Sequence, residues 1–245
     1  MDSKIVSYGL EYAGIFLEAA LVLYVAWSSQ WKRRRGVGLY LTSLLVAEVG
    51  RAYAVHEYGV QSPQYFYVYW GTDFLLVISA FLLVFLFFRR ACVREEKMWH
   101  YIRLLLGFVF ALVVGISALS ISRNHNHLFT YFTIEFNQNL YFTCLVLNTL
   151  LYLLLQYIES VDDQLALLVC GVGIQFAGPA ATLALLHLTA GERFAQSLTT
   201  SVMRLCTLGM LLVWAYAIVH VKDKAIQVTR REIPVLAEVT ADLNV

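Results

Sequence analysis

Long runs of apolar residues, separated by short polar or charged stretches, recur seven times along the chain. A helix needs about 20 such residues to cross a hydrocarbon core roughly 30 Å thick. Seven segments meet that length, at 9–28, 37–57, 66–88, 99–121, 128–158, 165–189 and 198–221. The fifth exceeds what a bilayer requires, so it tilts or projects beyond it. The pattern predicts an all-α fold: a polytopic integral membrane bundle of seven transmembrane helices in residues 1–221, followed by a short cytoplasmic tail, 222–245. Only Lys4 precedes the first run and no small-residue cleavage site follows it, so that run reads as a retained span.

Orientation follows from the basic residues of the short loops. One side collects Lys32, Arg33, Arg34 and Arg35, then Arg89, Arg90, Arg94 and Lys97, then Lys222, Lys224, Arg230 and Arg231. The other holds Lys4, Arg123 and Arg193. This bias places the N-terminus outside and the C-terminus in the cytoplasm. Tyr65, Phe66, Tyr67, Tyr69 and Trp70 at one edge, and Trp27, Trp31 and Trp99 at the other, suit the headgroup level. The acidic loop at 159–164 reads as a solvated turn.

Composition supports a membrane chain. Of 245 residues, 60% are hydrophobic and 14% charged, against about 25% charged in a soluble domain. The lipid bilayer is the expected surrounding, in a cell membrane and most simply a bacterial inner membrane. A net charge of +1 gives no basis for binding nucleic acid. Cys92, Cys144, Cys170 and Cys206 form no CxxC pair and read as packing residues.

Ionisable residues at membrane depth are costly and mark a functional or paired structural site. Glu18, Glu48, Arg51, Asp73, Glu135 and Arg204 all fall inside the apolar runs. Counting about 1.5 Å per residue, Arg51, Asp73, Glu135 and Arg204 each lie roughly 10 Å from the outer end of their helix. Four charges from four helices at one level imply one site. Glu48 shares a face with Arg51, and Tyr69 and Trp70 stand above Asp73. On the fifth helix Tyr131, Glu135, Gln138 and Asn139 share one face, while Asn137, Tyr141, Cys144 and Asn148 form a second stripe. Gln175 adds a polar group from the sixth helix, within a segment of Gly171, Gly173, Gly178 and Pro179 whose small side chains leave room for movement.

The expected ligand site therefore comprises Glu48, Arg51, Tyr69, Trp70, Asp73, Tyr131, Glu135, Gln138, Asn139, Gln175 and Arg204. Four carboxylates face two arginines here, and an unmatched carboxylate must be protonated, hydrated or paired with a cation. This favours a water-accessible pocket open to the outside, taking a small polar or charged molecule. The competing reading is a set of buried ion pairs that only fixes helix packing. An intramembrane enzyme using paired carboxylates, Asp73 with Glu135 or Glu48, is a further alternative.

No cofactor is expected. His56 and His187 at outer ends, and His100 and His220 at inner ends, pair by level as axial haem ligands would, but they sit at the water interface where a haem is not enclosed. His125 and His127 belong to a polar outer loop, and no metal site is assigned. The seven-helix, N-outside plan is similar to that of microbial rhodopsins and G-protein-coupled receptors in topology alone. No span contains a lysine for a retinal Schiff base, and the receptor patterns Asp-Arg-Tyr and Asn-Pro-x-x-Tyr are absent. The sequence reads as a membrane sensor or ligand-binding module that signals through a cytoplasmic or membrane protein partner. An accessory structural subunit of a membrane complex is the alternative outside the enzymes.

Overall fold

The computed structural model of the chain describes residues 2–27, 35–59, 61–93, 96–121, 128–157, 162–189 and 193–220, with most of their side chains. They form seven helices: α1 (Asp2–Trp27), α2 (Arg35–Tyr58), α3 (Pro63–Ala91), α4 (Glu96–Ile121), α5 (Leu128–Tyr157), α6 (Asp163–Thr189) and α7 (Arg193–Val219). Each coincides with one of the apolar runs. Four contain a stretch long and apolar enough to cross a membrane: Pro63–Ala91, Lys97–Leu119, Glu135–Tyr157 and Val202–Val219. These point to a multi-pass membrane protein. In α1 and α6 the described apolar stretches are shorter, Ala13–Trp27 and Asp163–Gly178. The tail at 222–245 and the loop histidines His125 and His127 lie outside the described residues.

Local chemistry sets the α2–α3 hairpin. Gly59 adopts φ +76°, a conformation that suits a residue without Cβ, and its N–H closes α2 by donating to the Val55 carbonyl. Ser62 caps α3 by accepting the Tyr65 N–H at 3.1 Å, with Pro63 at the first helical position, where its missing N–H costs nothing. This short turn fixes the register of the two helices. Arg51 lies about two turns before the end of α2 and Asp73 about three turns into α3, so the two side chains face one another.

Six helices close a ring in the order α1, α2, α3, α5, α6, α7, with α4 packed outside against α3 and α5. One half of the ring is filled by apolar side chains: Val37, Tyr40 and Leu41 from α2, Leu83, Val84 and Phe87 from α3, Leu147 and Leu151 from α5, Leu165 and Leu168 from α6, and Trp214 from α7. Large apolar residues such as Phe16, Leu104, Phe108, Leu119 and Leu212 cover the outside, the arrangement that suits contact with lipid tails. Hydroxyls within the helices satisfy themselves locally: Thr42, Ser43, Thr143, Thr149 and Thr207 each donate to the carbonyl four residues earlier.

Two expectations change here. Asp162, in the acidic loop read as a solvated turn, is held by Arg90 through two parallel bonds of 2.9 and 3.0 Å. It also caps α6 by accepting the Leu165 N–H. Arg90 reaches Gln164 as well, whose amide nitrogen donates to the Ala217 carbonyl at 3.1 Å, so one guanidinium ties α3 to α6 and, through Gln164, to α7. The glycines of α6 are also not slack. A Cβ at Gly171 would meet the Trp214 ring at 2.6 Å, and one at Gly178 would meet the Cys206 sulfur at 2.8 Å. Their missing side chains are replaced by residues of α7, and Trp214 is locked there by a 2.9 Å bond to the Leu168 carbonyl.

Candidate functional site

Opposite the packed half, the ring encloses a cavity of about 420 Å³, within the range of small-molecule pockets. All six ring helices contribute to its wall, and among the described residues α4 does not. The centre of its polar wall is the meeting of α2, α3 and α5. Arg51 donates through Nε to the Thr72 hydroxyl at 2.9 Å and through Nη2 to Asp73 Oδ1 at 3.3 Å. The other oxygen of Asp73 accepts from Asn137 Nδ2 at 2.7 Å. The guanidinium carbon lies 4.5 Å from the Tyr69 ring centroid, a cation–π contact, and Tyr69 packs edge to face on Trp70. Arg51 is thus fixed from three sides.

Eight of the eleven sequence-predicted residues line this cavity: Glu48, Arg51, Tyr69, Trp70, Asp73, Gln138, Gln175 and Arg204. Of the other three, Glu135 and Asn139 do not join it. Glu135 is half-buried but does not line the cavity. Asn139, four residues on and so on the same face of α5, turns to α4 and donates to the Ser117 hydroxyl at 3.4 Å. The Tyr131 side chain lies outside the described residues. The stripe of α5 assigned to the second face faces inward instead, with Asn137, Cys144 and Asn148 all buried and Asn137 and Tyr141 on the cavity wall. Of the two carboxylate pairs offered for hydrolysis, Asp73 and Glu135 do not share the cavity, whereas Asp73 and Glu48 both line it.

Sequence reasoning missed three contributors. Thr72 carries no distinguishing signal, since a threonine in a helix ordinarily bonds back to its own backbone, and Thr72 does so to Tyr69 as well. Asn137 belongs to the second stripe of α5, and its bond to Asp73 is what brings it into the site. Glu18 reads in the sequence as an intramembrane charge apart from the site, yet it lines the cavity from α1. It is 1% exposed, and neither of its oxygens has a hydrogen-bond partner among the described residues.

Apart from Thr207, whose hydroxyl is spent on the Met203 carbonyl, the rest of the described wall is apolar or aromatic, from Leu44, Leu76, Leu145 and Leu208 and from Tyr141, Phe142 and Phe176. Gln138, Tyr69 and Phe142 are exposed and form its rim. Polar groups held by neighbours in a largely apolar enclosure can orient a ligand while the remaining wall excludes water from it. The chain matches no protein-family model, no curated protein and no solved structure.

Proposed function

We propose that the protein is a seven-span membrane sensor or ligand-binding module, with its N-terminus outside and its C-terminus in the cytoplasm of a bacterial inner membrane. The cavity is its binding site. It opens outward, takes a small polar or charged molecule, and passes the signal to a partner protein at the cytoplasmic face. The observation that carries this reading is the junction of Arg51, Thr72, Asp73 and Asn137 in the wall of a cavity shared by six helices. A network that served packing alone would gain nothing from a void of this size, because cavities in a packed interior cost stability.

The test is a thermal-shift screen of the detergent-purified protein against small metabolites, repeated on Arg51→Ala/Arg204→Ala. A ligand that raises the wild-type midpoint but not that of the folded double variant supports the site. A double variant that unfolds outright, with no ligand for the wild type, supports the packing network. That second reading has its own footing, since Arg51 and Asp73 already satisfy one another.

A further inference from the structure

The polar groups of the cavity differ in what they lack. Among the described residues, five buried side-chain oxygens have no hydrogen-bond partner: both of Glu18, one each of Asn137, Asn148 and Gln175. Four of the five belong to residues on the cavity wall. Every one is an acceptor. Asn137 commits its nitrogen to Asp73, which leaves its oxygen as the unused end. A buried acceptor without a donor costs roughly 1–3 kcal/mol, and more if charged, so what completes this wall is a donor.

Charge points the same way. Among the described residues the wall holds three carboxyl groups, Glu18, Glu48 and Asp73, against two guanidiniums, Arg51 and Arg204. With Glu18 ionised, one unit of positive charge balances the set. A bare metal ion fits poorly, because no group of three or more His, Cys, Asp or Glu side chains among the described residues is arranged to hold one. The aromatic and leucine wall suits instead an apolar body beside a cationic head.

We infer that the cavity takes a small organic ammonium ion, a protonated primary amine on an apolar or aromatic body, with Glu18 as its counter-ion. The amide oxygens of Asn137 and Gln175 accept from further N–H or hydroxyl groups. Arg51 then acts as a positioning residue that holds Asp73 and Tyr69, while the ligand is recognised by acceptors. The Glu18, Asn137 and Gln175 oxygens all lie against the wall rather than open to the cavity, so binding turns these side chains toward the ligand. The assignment rests on the binding reading above and narrows it to one sign of charge.

Three probes with a common phenyl body test it on the full-length protein: 2-phenylethylamine, 2-phenylethanol and 3-phenylpropionate, scored by thermal shift over a concentration series. The expected result is stabilisation of the wild type by the amine alone. Glu18→Gln is expected to weaken the amine roughly tenfold or more, whereas Arg103→Gln on α4, away from the cavity, leaves it unchanged. If Glu18→Gln does not fold, Glu18→Asp, which draws the carboxyl back by one methylene, serves with the same expectation. Stabilisation by the alcohol or the carboxylate to an equal or greater degree overturns the ammonium assignment and leaves the binding reading standing. Equal amine affinity in wild type and Glu18→Gln overturns the role of Glu18. No shift of the folded wild type by any of the three overturns the ammonium assignment and the role of Glu18, while the binding reading itself is decided by the metabolite screen.

Discussion

Arg51 and Asp73 sit 3.3 Å apart with side chains 27% and 19% exposed, between the regimes of a surface pair, which contributes little, and a fully buried one, which is costly to break. Their coupling should reflect that position. A double-mutant cycle with Arg51→Ala and Asp73→Ala, followed by unfolding in mixed micelles, is expected to give about 1–2 kcal/mol, and additivity would contradict the contact. Gly171 offers a separate residue-scale test. Gly171→Ala forces a methyl into the hydrogen-bonded Trp214 ring and should cost about 1–3 kcal/mol, while Gly107→Ala on α4, with open space around it, should be neutral or slightly stabilising. Arg51 and Asp73 were legible in the sequence because charge at membrane depth is rare and helical rise places it reliably. Thr72 was not, since its type and position are ordinary; Glu18 was visible only as an anomaly, because its significance lies in the partners it lacks.

At the scale of elements, α3 joins the two ends of the molecule. Asp73 near one end belongs to the cavity, and Arg90 near the other holds Asp162 and Gln164, so a shift of α3 on binding would load this clasp directly. Arg90→Met is expected to lower stability by about 1–3 kcal/mol, and Arg90→Lys to recover only part of it, because a lysine cannot make the two parallel bonds to Asp162. Full recovery by lysine would show that the fork geometry does not matter. Helix positions were legible from the lengths of the apolar runs. The inward face of α5 was not, because that helix has polar residues on two sides and contacts both α4 and the ring; a wheel shows two stripes without saying which neighbour each one meets. The outlying place of α4 was equally hidden, as its apolar run resembles the others.

For the molecule as a whole, an outward-facing binding site requires one end of the ring to face outward and be wet. With the native cysteines replaced, Gln61→Cys in the α2–α3 turn should label with a membrane-impermeant thiol reagent applied from outside intact cells. Val93→Cys, exposed at the other end of α3, should label only after permeabilisation; the reverse pattern would invert the proposed topology. The most direct measurement places a cysteine within the cavity, as Leu208→Cys on its α7 wall. Treated from outside with 2-aminoethyl methanethiosulfonate, a small cationic thiol reagent, this variant is expected to react readily and to be protected by a bound amine. A folded Leu208→Cys protein that stays unmodified under those conditions would show a closed, dry interior and contradict an outward-facing binding site.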